Sequence, residues 1–316
     1  MKKRKFCFLL LILIIISISG CNEVKKSNEI QTQSTIDSID KGNYSVGFGY
    51  TSDNILDCYS YKDGYLSINL FYDNTGEKMT YGIMVYVNGK VQKLVNDNGQ
   101  EENIYPVVLE KNEKKNFSVK FIPQGYYGDK AEVTIVSMMN PLFSVNKDTV
   151  SFGNFMRTTS LNTYISDFCV EMINTESYEN IVDFNGDFLT KYQIIQNGNA
   201  INLYDTTLCM NIDVKNLYQS STKSGINVPL YIFGGQKNEY FITAYINNHP
   251  VQAFNEKESI SITSKPDKMQ YVDIEIDRAV YEQYLENGYG KLYVIAIPKN
   301  KEVADSIIMS NIIIVD

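Results

Sequence analysis

The chain has 316 residues, of which 44% are hydrophobic and 21% are charged, and its formal net charge is −8. This length allows about two domains, and the composition is ordinary for a globular protein, which excludes a wholly disordered chain. The acidic balance argues against nucleic-acid binding and against attraction to anionic lipids, because both need basic patches.

The first twenty residues have the order of a secretory signal. Residues 2–5 are all Lys or Arg, residues 6–16 are apolar, and the sequence ISGC then ends at Cys21. The apolar run is shorter than the roughly 20 residues that a membrane-spanning helix needs. The alternative is an uncleaved signal anchor in which Cys21 has no special role.

The ISGC sequence resembles the lipobox of bacterial lipoprotein signal peptides, in which an aliphatic residue and two small residues precede a cysteine. The resemblance covers residues 1–21 only. It implies cleavage before Cys21 and attachment of lipid to the Cys21 thiol, where two acyl chains anchor a protein stably and one chain only marginally. The expected location is therefore the cell membrane, with the chain lipid-anchored and facing the extracytoplasmic side.

Removal of residues 1–20 takes away four positive charges and no negative ones, which makes the mature chain still more acidic. Residues 21–43 comprise Cys21 and a polar stretch without aromatic residues. This composition predicts a flexible tether between the lipid and the folded part.

Residues 44–145 carry the signals of strands and turns. The sequences YLSINLFYDNTG (residues 65–76) and NFSVKFIP (residues 116–123) alternate apolar and polar residues. Asn88 and Gly89 separate two apolar runs, and Asn-Gly is the preferred pair for a two-residue hairpin because both positions need a positive φ. Strands spaced by turns over about 100 residues predict an antiparallel sandwich.

The second half of the chain repeats this order of strands. AYINNHPVQAF matches VYVNGKVQKL with one additional residue in the turn, which places Tyr245 159 residues after Tyr86. Ile276 likewise follows Phe121 at a spacing of 155 residues. Four successive elements match in order, so the sequence predicts an internal duplication with a second, larger sandwich over residues 146–316.

The expected fold class is therefore all-β, with two tandem antiparallel β-sandwich domains that resemble immunoglobulin-like domains. The likeness is architectural, because the chain has no Trp and no Cys-Trp-Cys signature. Residues 278–288 place four apolar side chains at helical spacing ahead of Gly288, which predicts a short crossover helix in the second domain.

Three cysteines remain besides Cys7 of the signal and the lipidation site: Cys58, Cys169 and Cys209. An odd number is not a complete disulfide framework. One bridge between Cys169 and Cys209 suits an oxidising exterior, and three buried thiols that behave as small apolar residues are the alternative.

Few residues point to chemistry. His249 is the only histidine, which excludes a histidine-based catalytic triad elsewhere; beside Pro250 it is interpreted as an exposed turn residue or as a partner contact. The sequence DFNGD (residues 183–187) begins like a calcium loop, but its glycine is too early, which favours a turn. No cofactor motif occurs, so none is expected.

The most distinctive polar feature is an acidic stripe made of Asp273, Glu275 and Asp277. On a strand these residues share one face, about 7 Å apart. They form a solvated face near Lys265 and Lys268, or they contact a cation or a basic partner. A glycosidase pair would need a concave site, which a flat sheet lacks.

These features favour a non-catalytic binding or structural module at the bacterial surface, with a protein or an envelope polymer as ligand. One alternative is an envelope hydrolase or accessory domain that uses the acidic stripe. Another is a lipoprotein associated with transport or secretion.

Overall fold

Almost every regular element in the computed structural model is a β-strand, which confirms the all-β prediction. No helix in the part of the chain described is long and apolar enough to cross a membrane. The structure describes residues 45–51, 59–61, 64–124, 130–149, 156–166, 177–178, 181–183, 206–210, 218–219, 225–265, 268–300 and 307–316.

In the described ranges, the first sandwich contains β1 (Val46–Tyr50), β2 (Tyr59–Ser60), β3 (Leu66–Asn74), β4 (Met79–Val87), β5 (Lys90–Val91), β6 (Leu94–Val95), β7 (Glu101–Glu102), β8 (Tyr105–Leu109), β9 (Lys114–Phe121), β10 (Lys130–Met139) and β11 (Thr158–Ser166). Its outer sheet has the order β1-β3-β9-β6-β7. Its inner sheet has the order β2-β11-β10-β4-β5, and β8 also pairs with β4.

Side-chain alternation on β3 and β9 explains the core of this sandwich. Leu66 and Ile68 are buried and face Phe121 and Val119 across the antiparallel pair, while the intervening residues of both strands point away from the core. These side chains pack in one hydrophobic cluster with those from the inner sheet.

The second sandwich contains β12 (Ser177–Tyr178), β13 (Ile181–Asp183), β14 (Thr207–Met210), β15 (Tyr218–Gln219), β16 (Gly225–Phe233), β17 (Asn238–Ile246), β18 (His249–Pro250), β19 (Ser259–Ser264), β20 (Lys268–Asp277), β21 (Gly290–Pro298), β22 (Ile308–Met309) and β23 (Ile313–Val315). Its inner sheet has the order β12-β19-β17-β21-β23-β15, with β18 on β17 and β22 on β21. Its outer sheet has the order β13-β20-β16-β14.

The predicted duplication extends to individual hydrogen bonds. In the first sandwich, Asn88 Oδ1 accepts a bond from the Glu132 amide at 2.7 Å, and the Asn88 amide donates back to the Glu132 carbonyl. In the second, Asn247 and Lys291 make the same two bonds. Each Asn has a positive φ, so it begins its hairpin turn and ties that turn to the neighbouring strand.

The boundary between the sandwiches differs from the expected position at residue 146. Strand β11 pairs along its length with β10, so Thr158–Ser166 belongs to the first sandwich. The comparison of the two copies did not predict this position, because they complete their inner sheets differently. In the second copy, strands near the C-terminus, β22 and β23, pair with β21.

The predicted crossover helix is present as one short turn. Strand β20 is followed directly by the helix α1 (Arg278–Tyr281) and a 3₁₀ turn (Glu282–Tyr284). Tyr281 is fully buried in the core of the second sandwich. Asn287 and Gly288 both have positive φ and turn the chain into β21, which is the backbone freedom that glycine supplies at such positions.

The two inner sheets pack against each other through a third hydrophobic cluster, called here the inter-sandwich core. Both sandwiches lie within one compact unit, residues 41–316. Strands β4 and β21 therefore bury both of their faces, one in their own sandwich and one against the other. The buried members of the inter-sandwich core are Met84, Tyr86, Val136, Met138, Met156, Tyr245, Tyr293, Ile295, Ile297 and Ile312.

Candidate functional site

The acidic stripe lies on the outer face of the second sandwich, as the alternation predicts. Val272, Ile274 and Ile276 of β20 point into the core, and Asp273, Glu275 and Asp277 are exposed between them. The three carboxylates thus stand on one open face of a sheet. Their alternation follows directly from the two-residue repeat of a strand.

Strand β16 forms the described flank of the stripe. Strand β16 runs beside β20 and places Gly225, Asn227 and Pro229 opposite the three acids. Asn227 Nδ2 donates to Glu275 Oε1 at 3.3 Å. Among the described residues, no group of three or more His, Cys, Asp and Glu side chains is placed to hold a metal ion. A role for the stripe in binding a partner or in hydrolysis stays a hypothesis.

Two other sequence features lie wholly or partly outside the described residues. The calcium-like sequence begins at Asp183, the last residue of β13, and residues 184–187 are not described. Cys209 is a buried free thiol, and burial raises its pKa to about 11, so it is a poor nucleophile. Cys58 and Cys169 fall outside the described ranges, as does the lipidation site Cys21.

His249 is only partly exposed and sits where the sandwiches meet. Its Nδ1 lies 2.9 Å from Nδ2 of Asn103, a buried residue of the first sandwich. Its ring stacks on Tyr284 with centroids 4.3 Å apart and planes 8° apart. Burial and the positive charge of Lys93 lower the pKa of His249 below 6.5, while Glu286 acts in the opposite direction.

Lys291 is the most deeply buried charged group in this region, with 1% of its surface exposed. Its Nζ donates to the Pro141 carbonyl at 3.0 Å and to the Phe143 carbonyl, both in the first sandwich. The same Nζ lies 4.5 Å from the centroid of the Phe143 ring, a cation–π contact. Burial lowers the pKa of Lys291 to about 8, against a raising effect of Glu286.

The centre of the inter-sandwich core is a pair of equivalent tyrosines. Tyr86 and Tyr245 are both fully buried, and their hydroxyl oxygens are 2.8 Å apart. Burial raises the pKa of both phenols, so both stay neutral. Tyr245 also stacks on Tyr293.

Contacts on either side of this pair are reciprocal, as in a two-fold symmetric dimer interface. The hairpin turn of the first copy packs Gly89 against Phe241. In return, Asn248 in the turn of the second copy donates to the Pro141 carbonyl, and the Pro141 ring covers Gly82, the counterpart of Phe241. The two copies therefore use the same surface on each other.

The sequence predicted Tyr86 and Tyr245 to be equivalent positions of the two copies, but it did not predict that the two side chains meet. The informative signal was the strand MTYGIMVYV, which is apolar at nearly every position. Such a strand is covered on both faces, and a single sandwich covers only one.

Replacement of Tyr86 by Phe is expected to destabilise the chain by about 1–3 kcal/mol, because the fully buried Tyr245 hydroxyl then loses the Tyr86 hydroxyl as a partner. The double replacement Tyr86→Phe and Tyr245→Phe should cost less than the sum of the two single changes, since both ends of the same hydrogen bond are then removed together. Urea unfolding of the four proteins measures this coupling. Additive losses would show that the two hydroxyls are not bonded to each other.

Comparison with known proteins gives a fold likeness only. No protein-family model matches the chain, and no curated protein matches its sequence. A CARDB domain from Pyrococcus furiosus, solved with two metal ions, is 13% identical, with a TM-score of 0.24, over 40% of this chain and 96% of its own. A human PapD-like domain is 14% identical, with a TM-score of 0.20, over 49% of this chain and 100% of its own.

A third similar structure is a chaperone and tip adhesion subunit pre-assembly complex from archaic chaperone-usher pili of Acinetobacter baumannii. It is 12% identical, with a TM-score of 0.21, over 86% of this chain and 98% of its own. At such low identity these likenesses concern the β-sandwich fold alone.

Proposed function

We propose that this protein is a lipid-anchored, extracytoplasmic lipoprotein whose paired sandwiches act as a non-catalytic binding or structural module at the bacterial cell surface. The observation that carries the proposal is the order of the first 21 residues: a basic start, an apolar run and the sequence ISGC. The basic start orients the signal peptide, the apolar run inserts it into the membrane, and the sequence ISGC is recognised by the lipid-attaching enzymes.

The architecture of the rest of the chain supports a module of this kind. The two sandwiches share a buried core, so they present one stiff body rather than two independently moving domains. A polar tether at residues 22–43 would hold that body away from the lipid. A protein or an envelope polymer is the ligand class that suits an acidic, β-sandwich surface of this type.

The lipid anchor is tested by replacing its thiol in the full chain. Wild-type protein made in a bacterium that contains the lipoprotein pathway should incorporate an alkyne-tagged fatty acid and stay with the membrane fraction. Cys21→Ser should abolish the labelling, because serine has no thiol for thioether formation. Intact-mass measurement of the purified protein should show an N-terminus at Cys21.

Cys7 provides the matched control, since it lies within the segment that is expected to be removed. Cys7→Ser should leave labelling and membrane retention unchanged. Labelling that survives Cys21→Ser, or a mature protein that still begins at Met1, would contradict the proposal and favour an uncleaved signal anchor.

A further inference from the structure

The rim of the contact between the sandwiches holds the chain's only histidine in a directional chain of hydrogen bonds. Lys93 Nζ donates to Asn103 Oδ1, and Asn103 Nδ2 lies 2.9 Å from His249 Nδ1. An ammonium group has donors but no acceptor. Lys93 therefore determines which end of the Asn103 amide faces the imidazole.

This orientation specifies the protonation state of the ring. Asn103 presents an N–H group to His249, so Nδ1 must be an unprotonated acceptor, with the single ring proton on Nε2. The stacking on Tyr284 holds the ring in the plane that this bond needs. Asn103 is only 6% exposed, so water has little access to replace the bond if it is lost.

We propose that His249 is an acid-sensitive latch between the two sandwiches: a proton on Nδ1 turns the acceptor into a donor, breaks the bond to Asn103 and loosens the second hairpin from the first sandwich. This inference concerns the folded body alone and does not depend on the lipid anchor.

Two charged groups act on the latch. Lys93, from the first sandwich, opposes a positive charge on the ring, and Glu286, after the 3₁₀ turn, favours it. Glu286 also favours the charged form of Lys291 of β21, so it acts on two basic groups. Tyr284, in the 3₁₀ turn, stacks against the face of the ring.

The direction of the effect follows from linkage. The pKa of His249 in the folded protein is below 6.5, so the folded state prefers the neutral ring. The latch therefore contributes in full above pH 6.5 and is lost as the pH falls below that value through the folded pKa. Because a single proton binds, the equilibrium constant for opening of the contact changes by at most tenfold per pH unit.

The first test follows the titration of the one imidazole by NMR in the purified protein carrying ¹³C-labelled histidine. Wild-type His249 should titrate with a midpoint below 6.5. Asn103→Asp supplies a carboxylate that accepts from the protonated ring, and should move the midpoint above 6.5. Lys93→Met should raise the midpoint relative to wild type, since the orienting and repelling charge is gone.

The second test measures how often the contact opens, by hydrogen exchange in strands Met79–Val87 and Asn238–Ile246. His249→Gln is the reference, because its amide oxygen still accepts from Asn103 but does not titrate. Below pH 6.5 the opening constant of wild type should rise relative to this variant by up to tenfold per pH unit.

A wild-type midpoint at or above 6.5, or parallel pH profiles for wild type and His249→Gln, would overturn the proposal. If His249→Gln does not fold, Asn103→Asp replaces it as the reference. In that variant the opening constant should fall as the pH is lowered, and a rise like that of wild type would also overturn the proposal.

Discussion

Gly89→Ala is expected to destabilise the folded protein by about 2–5 kcal/mol. Gly89 has φ = +80°, and a Cβ at this position would lie 2.2 Å from the Phe241 ring and 2.5 Å from Phe241 Cβ. The ring belongs to the other sandwich, and the clash extends to Phe241 Cβ, which rotation of the side chain does not move away. Two costs therefore combine: about 1–2 kcal/mol for a left-handed alanine and roughly 1–3 kcal/mol for overpacking.

Gly99 provides the matched control for this prediction. It has φ = +78°, and nothing lies within 4 Å of a Cβ at that position. Gly99→Ala should thus show the backbone cost alone, about 1–2 kcal/mol. Guanidinium unfolding of both variants isolates the contribution of the contact between sandwiches. Equal losses in the free energy of unfolding would show that a Cβ at position 89 does not clash with Phe241.

The second large effect concerns pH and the buried Lys291 amine. Its pKa is lowered to about 8 in the folded protein from an ordinary value of 10.5. Between these values the unfolded chain keeps a proton that the folded chain has lost, so the free energy of unfolding rises as the pH rises. The contribution is fully present above 10.5 and is lost as the pH falls through 8.

The slope approaches about 1.4 kcal/mol per pH unit between the two pKa values, which gives roughly 1.6 kcal/mol between pH 8.0 and 9.5 because the folded amine is half deprotonated at pH 8. Lys291→Met should lack this contribution, because methionine fills similar space without a titrating group. Buried Cys209 and the buried tyrosines titrate in the opposite sense at high pH, but they do so in both proteins. The difference between wild type and Lys291→Met therefore isolates the lysine.

Lys78→Met is the control for removal of a lysine in general, since Lys78 pairs with Glu110 on the surface with both side chains 63% exposed. This variant should follow the wild-type pH dependence. If Lys291→Met also follows it, the Lys291 amine is not held in a desolvated site.

Much of the fold was predictable because strands carry a two-residue period that needs no partner to be recognised. The β20 alternation located the acidic stripe, and Asn88-Gly89 located a hairpin turn. The crossover helix followed from apolar spacing ahead of Gly288. Each of these features depends on residues that are close together in the chain.

The contact between the sandwiches was not predictable in this way, since its energetics depend on distant segments. The amine of Lys291 binds a carbonyl that is 150 residues earlier in the chain. In sequence, Lys291 is simply one polar residue at the start of an apolar strand. His249 was likewise interpreted as a turn residue or a partner contact, because nothing near it in sequence indicates Asn103, 146 residues away.

The equivalence of Glu132 and Lys291 has an evolutionary consequence. In a dimer of identical chains, every substitution at such a position is present in both halves. A fused pair escapes this restriction, and here one half carries an acid where the other carries a base. Covalent duplication thus lets an interface between equal halves become unequal, with a cation, a histidine and an additional turn residue on one side only.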